Sequence, residues 1–309
     1  MEIYREMKDI LLKQNIDVSK LGEEFYDDTV FEILSDEKIK NTKGHDWYGR
    51  FRDIVSDPNN LFISRCDESG VLEDGIVTLH NGLKIYDQCY YNDFSDIFRI
   101  NKGVHEPSEE RMFAKVLKFI DKGGVMIELG SYWAFYSMWF ARDIEDSTCY
   151  CIEPDPANLN IGIKNFELNN LKANFTHGAI GNGQMNLYDF IVENKINKID
   201  LLHSDIQGSE LEMLHQIQEL LLNKKIKYIF ISTHDNNLHH SCISFLKLFG
   251  YRIICDCDYD NQTFIYDGFI LACPEELNEI LHTNIGDRSK TQLISESLFD
   301  EMFKNNRIL

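Results

Sequence analysis

The stretch 125–153 reads Val-Met-Ile-Glu-Leu-Gly-Ser-Tyr-Trp-Ala-Phe-Tyr-Ser-Met-Trp-Phe-Ala-Arg-Asp-Ile-Glu-Asp-Ser-Thr-Cys-Tyr-Cys-Ile-Glu. An apolar run ends in Glu128-x-Gly130 and turns into a helical pattern, and a second apolar run ends in Glu153. This order predicts a βαβ unit that binds a nucleoside, with an acidic side chain closing the second strand. Glu153 is placed to accept hydrogen bonds from both ribose hydroxyls.

The turn after the first strand distinguishes between nucleoside ligands. A dinucleotide site uses G-x-G-x-x-G, whereas this turn has Gly130 followed by Ser131 and then Tyr-Trp-Ala, which is one glycine of three. No Gly-Lys-Ser/Thr of a P-loop follows the strand. An acidic residue two positions before the glycine repels a phosphate but suits a cation. The turn therefore favours S-adenosylmethionine (SAM), which carries a sulfonium and an ammonium but no phosphate, over NAD.

A second strand–turn–helix pattern lies at residues 198–214, Lys-Ile-Asp-Leu-Leu-His-Ser-Asp-Ile-Gln-Gly-Ser-Glu-Leu-Glu-Met-Leu. Asp205 falls just past this strand, beside the position expected for the methyl group. Gly208 permits a tight turn, and Ser209 or Glu210 begins a helix with apolar residues at helical spacing.

With these motifs the chain resembles the FkbM family of SAM-dependent methyltransferases over about residues 82–273. The matching pieces are Glu128-Leu-Gly130, Phe135-Tyr-Ser137, Ile152-Glu-Pro-Asp-Pro156, Asn165-x-x-Leu-Asn-Asn170, Gly178-Ala-Ile-Gly181 and Ile199-Asp-Leu-Leu-x-x-Asp-Ile-Gln-Gly-x-Glu210. The candidate cofactor-binding residues in and beside these pieces are Glu128, Gly130, Ser131, Tyr136, Ser137, Glu153, Pro154, Asn158, Gly178, Ala179 and Asp205. The resemblance implies SAM as the cofactor.

The chain departs from the family pattern at three places. Ala134 stands where a second glycine is usual, after the bulky pair Tyr132-Trp133. His203 occupies a position that is usually lysine, and Ser-Thr-His234 replaces the usual Glu-x-His. These differences leave the fold prediction unchanged and weaken any transfer of substrate identity.

Asp205 and His234 are the candidate catalytic residues. Methyl transfer to a hydroxyl needs the acceptor and the methyl group held in line and a base for the hydroxyl proton. The resemblance does not imply a metal, so no metal is the favoured prediction. A minority interpretation is that Asp205, His234 and Asp235 hold a divalent metal such as Mg²⁺, which lowers the pKa of a sugar hydroxyl.

The alternation of strands and helices predicts an α/β fold with a Rossmann-like class I methyltransferase sheet of seven strands, the last one antiparallel. The predicted strands are 125–129, 148–153, 174–179, 199–204, 227–232, 251–256 and 264–272, and the predicted helices are 108–121, 135–143, 157–168, 209–222 and 238–248. Ser108 is the predicted N-cap of the first helix. Three regions are expected: an N-terminal α+β cap over 1–101, a methyltransferase domain over 102–274 and a helical C-terminal tail over 275–309.

The N-terminal region begins with helical patterns and continues with predicted strands at Leu61–Ser64, Gly75–Leu79 and Leu83–Tyr86. Asn81-Gly82 between the last two is a strong hairpin signal. This region is a candidate for substrate specificity or for a subunit contact, which would allow a homo-oligomer.

Composition limits the partners. The 309-residue chain has a net charge of −20, which argues against nucleic acid and against anionic lipid. The N-terminus lacks the apolar core of a signal peptide and no apolar run suits a membrane span, so a cytoplasmic location is expected. Eight cysteines without C-x₂-C spacing predict buried thiols rather than zinc ligands or disulfides.

The function predicted from the sequence is SAM-dependent O-methylation of a hydroxyl on a sugar, a glycan or a small natural product. One alternative is an aminopropyltransferase similar to polyamine synthases, which would use decarboxylated SAM and need an acidic pocket for a diamine. The other is a non-catalytic protein that keeps the fold.

Overall fold

The computed structural model describes residues 2–13, 19, 24–41, 43, 46–181 and 183–307. The chain divides into two compact units. Unit 1 consists of Met1–Met112, Asp260–Tyr266 and Thr283–Leu309, and unit 2 of Phe113–Tyr259 and Asp267–His282. This division follows spatial compactness, and the three regions expected from the sequence stay a prediction.

The secondary structure alternates in the second half of the chain. The helices are α1 (Glu2–Lys13), α2 (Glu24–Leu34), α3 (Trp47–Ser56), α4 (Asp96–Ile100), α5 (Pro107–Leu117), α6 (Phe135–Asp143), α7 (Pro156–Leu168), α8 (Leu187–Glu193), α9 (Glu210–Gln216), α10 (Gln218–Leu222), α11 (Asn236–Leu248) and α12 (Glu296–Arg307). The strands are β1 (Leu72–Glu73), β2 (Ile76–Thr78), β3 (Lys84–Tyr86), β4 (Val125–Leu129), β5 (Thr148–Glu153), β6 (Asn174–His177), β7 (Ile199–Ser204), β8 (Ile226–Thr233), β9 (Tyr251–Cys257) and β10 (Gly268–Pro274).

Unit 1 contains a small antiparallel sheet of order β1-β2-β3. Val77 pairs with Ile85, and both side chains are buried, while their neighbours along each strand are more exposed. Gly82 has φ +85° and donates its N–H to the carbonyl of Leu79, which closes the turn between β2 and β3. The hairpin predicted from Asn81-Gly82 is therefore confirmed.

Two predictions in unit 1 are wrong. The stretch predicted as a strand at Leu61–Ser64 overlaps a 3₁₀ helix at Pro58–Phe62, because Asp57 accepts a hydrogen bond from the N–H of Asn59 and proline suits a helical first turn. Ser108 is not the N-cap of α5. The helix begins one residue earlier at a proline, and the N–H of Glu110 bonds to the carbonyl of Glu106.

The tail after Pro274 is only partly helical. Within the described residues, helix forms at Glu296–Arg307, with a 3₁₀ turn at Arg288–Lys290. Arg288 is 1% exposed, and its guanidinium makes two contacts of 2.7 and 2.8 Å with the carboxylate of Asp53, which is also buried. This paired geometry ties the C-terminal segment into unit 1.

A buried His–Glu–His cluster also lies in unit 1. Glu110 is fully buried and its two carboxylate oxygens lie 2.9 Å from Nε2 of His80 and 2.7 Å from Nδ1 of His105. The same carboxylate accepts hydrogen bonds from the backbone N–H groups of His105 and Glu106. Burial alone would raise the pKa of Glu110, but the two histidines outweigh burial and lower it. Burial would lower the pKa of His105, but Glu106 and Glu110 raise it.

Unit 2 is built on a seven-stranded sheet of order β6-β5-β4-β7-β8-β10-β9. Neighbours from β6 to β8 are parallel, and β10 is antiparallel to both β8 and β9. The predicted Rossmann-like α/β sheet, with an antiparallel last strand, is confirmed. β7 and β10 are buried along their whole length, as expected for strands covered on both faces.

Alternate residues of β7 face different parts of the core of unit 2. Leu202 packs in an aliphatic cluster with Ile127, Ile229 and residues of the covering helices. The next residue, His203, lies among aromatic rings, with its ring centroid 4.4 Å from that of Tyr136. Burial lowers the pKa of His203 and so favours its neutral form.

Several predicted bounds in unit 2 change. The strand predicted at 174–179 ends at His177, and the strand predicted at 264–272 begins only at Gly268. The helix predicted at 209–222 is two helices, because Ile217 leaves helical geometry at φ −105° and ψ 16°. α8 was not predicted, since seven residues carry too short a periodic signal.

The prediction of buried thiols is confirmed for seven cysteines. All eight cysteines lie in the described ranges, none is in a disulfide, and seven are buried. Burial raises the pKa of thiols such as Cys242, to about 12, so they stay protonated. Among the described residues, no helix has the length and apolar character needed to cross a membrane.

Replacing Glu110 by Gln should lower the free energy of unfolding by about 3–5 kcal/mol, because it leaves two buried histidines without their carboxylate. The lowered pKa of Glu110 gives stability that is present above its ordinary value of 4.5 and lost as pH falls. The raised pKa of His105 gives stability that is present below its ordinary value of 6.5 and lost as pH rises through the folded value. Urea unfolding of both proteins across pH should therefore show the largest difference between these two values, and a pH-independent difference would contradict the cluster's charged state.

Candidate functional site

The predicted site residues lie at one edge of the sheet in unit 2. The five parallel strands end at Leu129, Glu153, His177, Ser204 and Thr233, and the predicted residues lie at these strand ends or in the turns and first helical turns that follow them. Ligands of open α/β sheets bind beyond the carboxyl ends of the strands. The structure therefore brings together residues that are more than a hundred positions apart in the sequence.

Gly130 is required by the packing of the turn. It has φ +69°, and a Cβ at this position would lie 1.8 Å from the carbonyl oxygen of Asp205. The N–H of Asp205 bonds to the carbonyl of Leu129, so the ends of β4 and β7 are held against each other. The glycine thus makes room for the backbone of Asp205.

Ala134 keeps the backbone conformation of a glycine. Its φ is +62° and its ψ +41°, the left-handed region, and Tyr132 in the same turn also has a positive φ of 45°. Gly162 on α7 supports this turn, because a Cβ there would lie 3.0 Å from the carbonyl oxygen of Tyr132. The loss of the usual glycine therefore changes the residue and not the conformation, at a cost in strain.

Glu128 holds the beginning of α6. Its side chain is 3% exposed and accepts a hydrogen bond of 3.0 Å from the N–H of Ser137, in the first turn of the helix. Ala134, at the N-cap position, offers no side-chain hydrogen bond, so the carboxylate on β4 does the work of a cap. The negative charge also lies at the positive end of the helix dipole.

Glu153 joins two turns at the same edge. One carboxylate oxygen accepts from the N–H of Tyr132 and the other from the N–H of Asp155, both at 2.9 Å. The side chain is 5% exposed. A carboxylate has about four acceptor sites, so each oxygen retains one for a ligand hydroxyl.

Ser131 and Tyr136 differ in what they can offer a ligand. The hydroxyl of Ser131 is buried and makes no hydrogen bond within the described residues, which is an unused polar atom in the turn. Tyr136 is 4% exposed and packs in the aromatic cluster against Phe113 and His203. Ser137 is fully buried at the start of α6.

The remaining predicted cofactor residues lie around the ends of β5 and β6. Pro154 is exposed, and its carbonyl lies 2.8 Å from Nε2 of His177. Asn158 is partly exposed in the first turn of α7. Gly178 and Ala179 are also partly exposed, and a Cβ on Gly178 would lie 2.5 Å from the methyl carbon of Met185.

His234 lies among three carboxylates. Its Nε2 is 3.3 Å from Asp205 Oδ1 and 3.2 Å from Asp267 Oδ1, and its Nδ1 is 3.5 Å from Glu210 Oε1. Partial burial alone would lower the pKa of His234, but these carboxylates outweigh burial and raise it to about 11. Glu210 is fully buried and also accepts hydrogen bonds from the N–H groups of Ile206 and Gly208.

Asp235, the third member of the metal interpretation, is used differently. Its side chain accepts a 2.8 Å hydrogen bond from the N–H of Leu238 and caps α11. Asp267 lies where Asp235 was expected, since the donor atoms of Asp205, His234 and Asp267 all lie within 4.8 Å of one another. Sequence reasoning missed Asp267 and the role of Glu210. Asp267 lay inside the strand predicted at 264–272, so no local pattern marked it as a site residue.

Comparison with known protein families matches residues 183–253 to the methyltransferase FkbM domain. The match contains Asp205 and His234 and confirms the resemblance predicted from the motifs. No curated protein sequence matches the chain significantly.

Solved structures of several methyltransferases are similar to part of this chain. A putative rRNA methylase from Clostridium thermocellum is 10% identical, with 55% of this chain and 96% of that chain covered and a TM-score of 0.43. An O-methyltransferase from Bacillus cereus in complex with S-adenosylhomocysteine (SAH) is 13% identical, with 54% of this chain and 79% of that chain covered and a TM-score of 0.40. TrmK of M. capricolum with S-adenosylhomocysteine is 20% identical, with 63% and 81% covered and a TM-score of 0.36. Likenesses this distant carry none of the inferences below.

Two single-methyl substitutions should separate packing from conformation in the turn. Gly130→Ala should lower the free energy of unfolding by about 3 kcal/mol or more, since it combines a strained φ with overlap on Asp205. Ala134→Gly should change it by less than about 1 kcal/mol, because relief of about 1–2 kcal/mol of left-handed strain offsets the lost methyl burial and the added chain entropy. Denaturant unfolding measures both, and equal effects at the two positions would contradict this account of the turn.

Proposed function

We propose that this protein is a SAM-dependent methyltransferase that acts on a hydroxyl group of a sugar, a glycan or a small natural product. The observation that carries the proposal is the convergence of the Gly130 turn, Glu153, Asp205 and His234 at the carboxyl edge of a seven-stranded Rossmann-like sheet. The family match to a methyltransferase domain over 183–253 supports it.

The residues present fit SAM. Glu153 retains acceptor capacity for ribose hydroxyls after binding two backbone N–H groups, and the Ser131 hydroxyl is a buried polar atom still available to a ligand. Glu128 adds negative charge below the turn, which suits a cationic cofactor better than a pyrophosphate. Bound at this edge, SAM would supply an electrophilic methyl group on a positively charged sulfur.

Asp205 is the proposed catalytic residue closest to the acceptor. Its turn is fixed by Gly130 and Leu129, and its carboxylate is partly exposed, so an acceptor hydroxyl can reach it. In the transfer, the hydroxyl gives its proton to the carboxylate of Asp205, its oxygen bonds to the methyl carbon, and the carbon–sulfur bond breaks with its electron pair remaining on sulfur. Fixed geometry of this kind supplies much of the rate enhancement. The second proposed catalytic residue, His234, positions the carboxylate of Asp205.

The acceptor class follows from charge. A net charge of −20 disfavours a polyphosphate or nucleic-acid acceptor, and the carboxylates around His234 favour a neutral polyol. The cytoplasmic location and the homo-oligomer expected from the sequence stay predictions.

The cofactor assignment can be tested without knowing the acceptor. Isothermal calorimetry of the full chain should show stoichiometric binding of S-adenosylhomocysteine (SAH) and of SAM, and no heat with NAD, because the turn has one glycine of the three that a pyrophosphate needs. Tighter binding of decarboxylated SAM than of SAM would instead support the aminopropyltransferase alternative. Binding of NAD alone would overturn the proposal.

Glu153 should dominate ribose binding. Glu153→Ala should weaken SAH binding by about ten-fold or more, which corresponds to loss of about 1.5–3 kcal/mol of charge-assisted hydrogen bonding. Glu153→Gln keeps the size of the side chain and one carbonyl acceptor, so its affinity for SAH should lie between those of the unmodified protein and Glu153→Ala. Asp155→Asn is the matched control, because it removes a neighbouring carboxylate while asparagine still caps α7. Thermal unfolding checks that the turn survives, and unchanged SAH affinity in Glu153→Ala would refute the assignment.

A further inference from the structure

The side chains of Asp205, His234 and Asp267 come from separate segments of unit 2 and lie close together. Asp205 follows β7, His234 follows β8, and Asp267 precedes β10. Their donor atoms all lie within 4.8 Å of one another. This set offers one imidazole nitrogen and two carboxylate oxygens.

Two of the donor spacings are close to those between adjacent ligands in a coordination shell. The Nε2 atom of His234 lies 3.3 Å from the oxygen of Asp205 and 3.2 Å from that of Asp267. Adjacent ligands of an octahedral cation with bonds near 2.1 Å are about 3 Å apart. A small inward movement of the three side chains would therefore complete the site.

A second observation points to a ligand at the same place. Oδ1 of Asp205 is shielded from solvent but makes no hydrogen bond within the described part of the chain. A buried carboxylate oxygen without a hydrogen-bond donor is costly unless a cation satisfies it. Its cationic neighbour is the His234 ring, at ion-pair distance.

The far side of the His234 ring is also arranged for metal binding. Metal-binding histidines commonly direct their second ring nitrogen at a carboxylate, which orients the ring and raises its basicity. Nδ1 of His234 lies 3.5 Å from the carboxylate of Glu210, which is fully buried and held by two backbone N–H groups. Glu210 is thus a positioning residue for the ring.

We propose that Asp205, His234 and Asp267 bind one divalent cation of the Mg²⁺ and Mn²⁺ class, with Glu210 orienting the histidine. Two carboxylates and one imidazole suit such a cation and leave coordination positions open for the hydroxyl groups of an acceptor. Binding replaces the proton on Nε2, which passes to solvent.

This inference rests on the proposed methyl transfer. There the cation would acidify the coordinated hydroxyl, whose proton would pass to solvent before the oxygen attacks the methyl carbon, and Asp205 would act as a cation ligand in place of a proton acceptor. It also replaces the ligand set expected from the sequence, since Asp235 is occupied in capping α11.

The test is a titration of the metal-free full chain with Mn²⁺, following free Mn²⁺ by electron paramagnetic resonance at physiological ionic strength, which screens loose binding to the acidic surface. One Mn²⁺ should bind per chain and compete with Mg²⁺. Asp267→Asn and Asp205→Asn should each weaken Mn²⁺ binding at least ten-fold. Asp235→Asn should leave it unchanged, because asparagine caps a helix as well as aspartate does.

The outcomes are distinct. Absence of saturable Mn²⁺ binding, or loss in Asp235→Asn with retention in Asp267→Asn, overturns the inference. Thermal unfolding of each variant verifies its fold. Because Asp205→Asn and Asp267→Asn each remove one proposed ligand, either variant alone decides the test if the other is unstable. Calorimetry with SAH on the same metal-free samples tests the proposed function separately. If SAH binds and Mn²⁺ does not, only the inferred cation site is refuted. If SAH does not bind, the methyltransferase assignment is refuted.

Discussion

The close approach of Gly130 to the backbone of Asp205 is the constraint on which the functional edge depends. No side chain fits between them, because a Cβ on Gly130 would lie 1.8 Å from the Asp205 carbonyl oxygen. The hydrogen bond from Asp205 to Leu129 holds the same two strand ends together. The turn assigned to the cofactor and the turn assigned to the acceptor are therefore one packed unit, and neither can move without the other.

Buried carboxylates form the second level of this organisation. Glu128, Glu153 and Glu210 each accept hydrogen bonds from backbone N–H groups of a neighbouring turn or helix start. Such bonds satisfy donors that would otherwise be left unpaired at the beginning of helices and in turns. The negative charge that suits a cationic cofactor is thus also structural. Removing any of these side chains disturbs the backbone as well as the binding chemistry, so isosteric amides are the informative substitutions.

Unit 1 also contains buried charged groups. Arg288 pairs with Asp53, and Glu110 bridges two histidines, all with almost complete burial. Buried ions of this kind tolerate the loss of a partner poorly, because the remaining charge has no solvent to compensate it. The Arg288–Asp53 pair is one contact that joins the segment after residue 282 to the N-terminal part of unit 1.

The sequence by itself determined the seven-stranded α/β sheet and the positions of its strands along the chain. Continuous apolar runs predicted β4, β5 and β7 with correct ends, since buried parallel strands leave an unambiguous pattern, and acidic residues just past them marked the edge. Only the tertiary structure decided the partners of His234. Asp267 reaches it through the antiparallel pairing of β10 with β8, a contact with no local signature, while the adjacent Asp235 turns away to cap α11. Local patterns specify elements because they reflect each segment's own burial, whereas side-chain clusters depend on how distant segments pack.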